Sequence, residues 1–124
     1  VRDWIHTDDH SRAILAVLDA GTPGTVYNIG ARCERENIDV VRAILAAVGK
    51  PESLIEFVED RPGHDRRYAI DPGRIETDLG WRPQVQFEDG LARTVAWYRE
   101  NEGWWRRVKD GSYREFYEKW YGNR

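Results

Sequence analysis

The side chains best suited to chemistry lie in one charged turn at positions 60–67, between two apolar segments. Arg61 carries a planar fork of N–H donors that matches phosphate oxygens, and His64 can donate a hydrogen bond to a phosphate or a sugar. A proline and a glycine between them fix the path of the backbone. The turn therefore predicts an anion clamp. The residues leave open a simpler interpretation, in which the arginines pair with Asp60 and Asp65 on a solvated surface.

Two further residues are candidates for the same clamp. Arg2 precedes an aromatic segment of strand character, and Asn37 stands where a helix is predicted to begin. The first turn of a helix offers free backbone N–H groups and the positive end of the helix dipole, which favour an anion. Arg2 as an exposed surface charge and Asn37 as a cap of its own helix remain the alternatives. Spacing along the chain does not decide between them.

Other reactive residue types do not form a recognisable site. Asp8 and Asp9 are acidic residues in a predicted first helical turn, where the dipole alone explains them. His6 and His10 are separated by a strand-to-helix junction and have no evident third metal ligand. Cys33 has no obvious base beside it and fits a small loop or packing residue. We assign no catalytic residue and no metal ligand.

Composition limits the class of protein. The chain has 124 residues, 40% of them hydrophobic, with 19 Lys and Arg against 22 Asp and Glu. A net charge of -3 does not favour a phosphate polymer, so nucleic-acid binding is not expected. No apolar run approaches the roughly 20 residues of a membrane span. The single cysteine cannot close an internal disulfide, which favours the cytoplasm. The absence of an initiator Met suggests a fragment of a longer protein.

Hydrophobic patterning predicts strands that alternate with helices, an α/β architecture with too few strands for a complete sheet. Strands are predicted at 1–6, 25–30, 54–59 and 67–71. Helices are predicted from Thr7 to 20, from Asn37 to 48, from Pro72 to Leu79, and from Phe87 to an interruption at Asn101 and Gly103. A capping box at Ser112 and Glu115 predicts a last helix, whose aromatic stripe docks on a core or a partner.

Several motifs of dinucleotide enzymes are missing. The sequence has no glycine-rich phosphate loop after a strand, no Tyr-x-x-x-Lys pair, no Gly-x-Ser-x-Gly elbow and no Walker lysine. No segment of this chain is therefore expected to hold a dinucleotide.

Longer motifs identify a family. RDWIHTDDH at 2–10, YNIG at 27–30 and DRPGHDRRYAID at 60–71 together resemble the dTDP-glucose 4,6-dehydratases, nucleotide-sugar dehydratases of the extended short-chain dehydrogenase/reductase superfamily. The similarity continues through LGWRP at 79–83 and TVAWY at 94–98. The first two motifs recur widely among extended members, whereas the third is much more specific. The resemblance covers nearly the whole chain.

The resemblance implies a two-part subunit in which an N-terminal Rossmann part holds NAD and a C-terminal part holds the nucleotide sugar. Residues 1–124 correspond to that C-terminal part, an incomplete sheet with several helices, without the NAD-binding domain. The substrate-binding positions of the family fall on Arg2, Asn37, Arg61 and His64. The full-length family implies a homodimer that uses NAD, which this chain alone would not bind.

The family reaction converts dTDP-glucose into dTDP-4-keto-6-deoxyglucose and water, an NAD-dependent lyase reaction. Its catalytic and cofactor residues fall outside this sequence, so the chain by itself is expected to be inactive. Unpaired sheet edges also predict that the isolated chain dimerises, swaps elements or is marginally stable. The alternatives are a non-catalytic interaction or scaffold domain derived from the family, or the same portion of another nucleotide-sugar dehydratase or epimerase.

Overall fold

The computed structural model describes residues 1–59 and 62–109. Contacts divide the chain into two compact units, Val1–Leu91 and a second that begins at Ala92. The described elements, in chain order, are β1 (Arg2–Asp3), α1 (Thr7–Ala20), β2 (Glu34–Arg35), α2 (Asn37–Val48), a 3₁₀ turn (Glu52–Leu54), α3 (Gly73–Leu79), α4 (Phe87–Glu100) and α5 (Glu102–Lys109). This part of the chain is mainly helical.

The two short strands pair antiparallel. Arg2 lies opposite Arg35 and Asp3 lies opposite Glu34. The backbone N–H of Trp4 donates to the carbonyl of Cys33 at 3.0 Å and extends the pairing by one bond. The pairing brings residue 2 beside the segment that leads into α2. The sequence predicted the first strand, whereas it predicted a loop where β2 lies.

Helix α1 occupies the predicted range, but its cap differs from the prediction. His6 is the N-cap residue, and its ring Nδ1 accepts a hydrogen bond from the backbone N–H of Asp8 at 3.2 Å. The sequence suggested that side-chain oxygens at 7–9 would fill this role. The helix ends before Gly21, whose N–H donates to the carbonyl of Val17.

The core of the first unit lies between α1 and α3. Ala13 and Ile75 are fully buried, and Trp81 is 7% exposed. Partly buried apolar side chains surround them, including Ile5, Ala16, Val17, Tyr27, Ile29 and Leu79. Burial of this apolar surface is the main stabilising contribution in the unit.

A buried carboxylate joins α1 to the connector before α4. Asp9 is fully buried, and its carboxylate accepts hydrogen bonds from the backbone N–H groups of Gln84 at 3.1 Å and Val85 at 2.9 Å. The guanidinium of Arg12 donates to the same carboxylate. The sequence attributed Asp9 to the helix dipole, so its role as a tertiary anchor was missed.

Three predicted strands do not form within the described residues. The segments 25–30 and 67–71 have no regular structure, and 54–59 begins in the 3₁₀ turn and continues without a strand. A β-rich composition makes a segment able to pair, but a ladder also needs a neighbouring strand. Tyr68 makes one backbone hydrogen bond of the kind found between strands, from its N–H to the carbonyl of Val1 at 3.1 Å. Tyr27 and Ile29 instead pack against the core.

The later helices follow the local signals closely. Helix α3 begins after Pro72 and ends at Gly80, whose φ of 64° is left-handed. Helix α4 begins at Phe87 and ends at Glu100 as predicted. Asn101 does interrupt the helices, but Gly103 lies inside α5.

The predicted capping box and aromatic stripe lie outside the described residues. No helix in the described ranges has the length and apolar character needed to cross a membrane.

Candidate functional site

The structure brings two of the predicted binding residues into contact. The Nη2 atom of Arg2 lies 2.8 Å from Nε2 of His64 and donates to the carbonyl of Asp65 at 3.0 Å. Because a guanidinium has donors only, Nε2 of the imidazole is the acceptor and the neutral ring carries its proton on Nδ1. Arg2 and His64 therefore form one cluster, and anion binding by this cluster stays a prediction.

An aromatic ring completes this Arg2 cluster, defined here as Arg2, His64, Asp65 and Tyr68. The guanidinium carbon of Arg2 lies 4.6 Å from the centroid of the Tyr68 ring, a cation–π contact. The Tyr68 hydroxyl donates to the carboxylate of Asp65. The sequence assigned Tyr68 only to a strand. The sequence does not indicate this contact, because Tyr68 follows Arg67 in the chain but lies against the distant Arg2.

No carboxylate of the described residues forms an ion pair with Arg2. Its hydrogen bonds go to an imidazole and to the carbonyls of Val1 and Asp65. These acceptors orient the guanidinium plane without cancelling its charge. The arrangement leaves Arg2 a net attraction for an anion.

The other two predicted binding residues stand differently. Arg61 lies outside the described residues, although the turn that follows it is present and Gly63 has a left-handed φ of 71°. Asn37 is the first residue of α2 and is exposed. It is not the cap that the alternative interpretation suggested, because the N-cap is Glu36, whose side chain makes no capping hydrogen bond.

The start of α2 consequently keeps donors available. Within the described part of the chain, no hydrogen bond is formed by the Asn37 side chain, and the helix's first N–H groups lack a side-chain cap. Free N–H groups at a helix start attract an anion. Arg2 lies opposite Arg35 in the β-pairing, and α2 begins two residues after Arg35. Direct contact between Asn37 and that cluster is not observed in the described residues.

A cavity of about 660 Å³ opens beside β2 and the start of α2. Its lining residues are Val1, Arg32, Cys33, Glu34, Arg35, Glu36, Asp39 and Arg67. None of the three predicted binding residues that the structure describes, Arg2, Asn37 and His64, lines it. Two of its lining residues, Glu36 and Asp39, stand before and after Asn37 in the sequence.

The arginines of this cavity are already paired with carboxylates. Arg67 contacts Glu34 at 2.6 Å. Arg32 contacts Glu76 and Asp71, each at 3.2 Å. The hydrogen bond to Glu76, with that residue's charge, raises the pKa of Arg32 above its ordinary value. These guanidiniums are thus less available to an added anion than Arg2.

Two side chains contact Arg35 directly. It contacts Glu88 at 2.6 Å, and its guanidinium carbon lies 4.1 Å from the centroid of the Phe87 ring. Hydrogen bonding to Cys33 raises the pKa of Arg35 further, with the charge of Glu88 adding to it and burial opposing it. The sequence missed Arg35, since its loop was interpreted only as a connection of mixed charge.

The two strand-to-helix turns of the described residues do not fit NAD by the usual route, in which a glycine-rich turn carries a strand into a helix around the pyrophosphate. The turn from β1 to α1 contains no glycine, and the His6 ring already accepts the N–H of Asp8 at the helix start. The turn from β2 to α2 consists of Glu36 alone. A group of three or more potential metal ligands is likewise not found among the described residues.

Comparison with known proteins gives a consistent family. The family model described as GDP-mannose 4,6 dehydratase matches residues 1–94. A dTDP-glucose 4,6-dehydratase of Escherichia coli is 50% identical, over 91% of this chain and 34% of its own length. One from Mycolicibacterium smegmatis is 52% identical, over 89% of this chain and 34% of its own. The chain thus spans about a third of the length of these relatives.

Solved structures agree. DesIV, a dTDP-glucose 4,6-dehydratase from Streptomyces venezuelae with NAD and TYD bound, matches with a TM-score of 0.82 at 51% identity, over 86% of this chain and 33% of its own. The Bacillus anthracis dTDP-glucose 4,6-dehydratase in complex with NAD has a TM-score of 0.80 at 46% identity, over 86% and 33%. The prediction of a partial α/β fragment of a Rossmann-type dehydratase is therefore confirmed.

Proposed function

Because the chain belongs to the GDP-mannose 4,6 dehydratase family, we propose that residues 1–124 form the nucleotide-sugar-binding C-terminal portion of a dTDP-glucose 4,6-dehydratase. The observation that carries the proposal is the contact between Arg2 and His64. The two residues are 62 positions apart in the chain, and both carry side chains that the sequence predicts to bind phosphate.

The chemistry of the Arg2 cluster suits a diphosphate. Among the described residues, the partners of the Arg2 guanidinium are all uncharged groups, whereas Arg32 and Arg67 face carboxylates. A charged donor keeps most of its attraction for phosphate oxygens when its own partners are neutral. The uncapped start of α2 at Asn37 supplies further donors for the same class of ligand. We assign Arg2, Asn37, Arg61 and His64 to diphosphate binding.

In the whole enzyme, the proposed reaction converts dTDP-glucose into dTDP-4-keto-6-deoxyglucose and one water. NAD, when bound by the rest of the enzyme, would supply the hydride chemistry of this reaction. This chain contributes binding, whereas the hydride acceptor and proton-transfer groups belong to the part of the relatives that it does not span. Supplied with NAD and dTDP-glucose, the 124-residue chain is expected to form no keto sugar.

Setting and assembly follow from the same proposal. A reducing compartment suits a chain whose one cysteine is free, so we place the enzyme in the cytoplasm. We further propose a homodimer for the whole enzyme, as the family resemblance implies. Both statements are open to direct measurement by fractionation and by sedimentation of the full-length protein.

The test is a calorimetric titration of the 124-residue chain with dTDP, after circular dichroism has established that the chain is folded. Saturable binding that weakens with salt is expected. Arg2→Ala should lower the affinity by about tenfold or more, since a hydrogen bond to a charged group contributes about 1.5–3 kcal/mol. Arg106→Ala removes an equal charge from an exposed i,i+4 pair on α5 and should leave the affinity unchanged.

The same titration separates the alternatives. GDP and UDP in place of dTDP test the base, and a preference for either would reassign the substrate to another nucleotide sugar. Equal loss in Arg2→Ala and Arg106→Ala would mean that only overall charge matters. A folded chain that binds none of the three nucleotides would contradict the proposal and favour an interaction domain.

A further inference from the structure

One carboxylate holds both sides of a strained residue. The Oδ2 atom of Asp3 accepts a hydrogen bond from the N–H of Ala31 at 2.9 Å, and Oδ1 accepts from the N–H of Cys33 at 2.8 Å. The residue between those two amides, Arg32, has a φ of 53°. It is the one residue other than glycine with a positive φ in the described ranges.

A left-handed conformation is unfavourable for arginine because its Cβ crowds the backbone carbonyl. Such a conformation persists only where the surroundings impose it. The side chain of Arg32 is more than half exposed, and its pair with Asp71, which is 81% exposed, adds little constraint. Its second partner, Glu76, is 18% exposed and lies on α3 rather than in the turn. The two amide bonds to Asp3 are the contacts positioned to hold the turn.

The approach of the carboxylate depends on a neighbouring glycine. A Cβ atom built on Gly30 would lie 2.5 Å from Oδ2 of Asp3 and 3.3 Å from Cβ of Ile70. Gly30 is buried and its φ is not in the left-handed range. The glycine is therefore required for space at this position, so that the carboxylate can reach the turn.

The Asp3 carboxylate lies where it can set the positions of the binding residues. Asp3 follows Arg2 in β1, and the turn leads directly into β2, whose Arg35 lies opposite Arg2. Side chains alternate along a strand, so Asp3 and Arg2 point to opposite faces. The Asp3 carboxylate thus holds the pairing of β1 with β2 from the face opposite the Arg2 side chain. Helix α2 begins two residues after Arg35.

We propose that Asp3 is a positioning residue, whose carboxylate holds the turn at Ala31–Cys33 and thereby fixes the separation between Arg2 and the start of α2. The inference rests on the proposed function for the identity of the ligand. The expected change in dTDP affinity when Asp3 loses its charge is opposite to the change that simple electrostatics predicts. Removing a negative charge near a phosphate site should tighten anion binding, whereas loss of a positioning residue weakens it.

The first experiment measures dTDP binding by calorimetry to the wild-type chain and to Asp3→Asn. The asparagine amide keeps the shape but turns a donor toward one of the two N–H groups. A loss of affinity by about tenfold is expected, since one of the two partly buried N–H groups loses its acceptor and no longer holds the turn. Unchanged or tighter binding by Asp3→Asn would overturn the inference while leaving the proposed function intact.

The second experiment needs no ligand. Hydrogen exchange measured by NMR should show the amides of Ala31 and Cys33 protected in the wild type and exposed in Asp3→Asn. Protection that persists in the variant would overturn the inference even if the wild-type chain proved not to bind dTDP. Gly30→Ala, which displaces the carboxylate without removing it, should give the same exposure and serves if Asp3→Asn does not fold.

A rescue variant separates positioning from a general loss of stability. Glycine adopts a positive φ without strain. Asp3→Asn combined with Arg32→Gly should therefore recover part of the lost affinity, because the turn no longer needs to be held in an unfavourable conformation. A purely structural defect would be made worse, not better, by the added glycine.

Discussion

The imidazole Nε2 of His64 accepts a hydrogen bond from Nη2 of Arg2 at 2.8 Å, across 62 residues of chain. The acceptor fixes the rotation of the guanidinium plane, and Tyr68 lies against one face of that plane. A planar donor held in this way loses less conformational entropy when it binds a phosphate. The contact links the N-terminal strand to the most specific motif of the chain.

His64→Leu should therefore weaken dTDP binding by about tenfold, because Arg2, a charged donor, loses the imidazole acceptor that orients it. Calorimetric titration measures the change. His10→Leu is the matched control, since His10 is exposed on α1. An equal affinity for His64→Leu and the wild type would show that the contact does not orient Arg2 for binding.

Asp9→Asn should lower the free energy of unfolding by about 3 kcal/mol, because the buried carboxylate accepts three backbone and side-chain donors. Thermal unfolding followed by circular dichroism would record a lower Tm. Asp8→Asn removes the same charge from a carboxylate that is 69% exposed and should change the stability by less than about 1 kcal/mol. Similar shifts in the two variants would contradict the anchoring role of Asp9.

Two glycines inside helices should respond to alanine with opposite signs. A Cβ on Gly90 would lie 2.9 Å from the Cδ2 atom of His6, the cap of α1, whereas a Cβ on Gly103 would meet open space. Gly103→Ala should stabilise α5 by up to about 1 kcal/mol through helix propensity. Gly90→Ala should destabilise the chain by about 1–2 kcal/mol despite the same propensity gain. Denaturant titration compares them, and a shift of the same sign for both would refute the steric argument.

Stability contributed by Arg32 should not vary with pH in the neutral range. Its pKa is raised above an already high value, chiefly by Glu76, so the contribution is fully present below that value and is lost only at extremely alkaline pH. The difference in Tm between Arg32→Gln and the wild type should accordingly be the same at about pH 6 and about pH 9. A difference that changes between these two conditions would mean that another group titrates with Arg32.

Local signals in the sequence located most of the helices. Residues 7–20 carry the apolar periodicity of α1, Pro72 and Gly80 bracket α3, and Phe87 opens α4 where expected. These features depend on interactions within a few residues, so they can be recognised without knowing what lies nearby in space. The motifs at 2–10, 27–30 and 60–71 likewise sufficed to identify the family, since a motif is itself a local string.

Tertiary structure decided what no local string contains. Arg2 and His64 were both predicted, but their contact and the ring of Tyr68 against Arg2 depend on how distant segments meet. The segment 25–30 has strand composition and yet forms no strand in the described structure, because a ladder requires a partner segment. Asp9 sits in a first helical turn, where the dipole would explain it, and only its burial against Gln84 reveals an anchor. Helix formation is governed by near neighbours in sequence, whereas pairing, burial and site geometry are governed by neighbours in space.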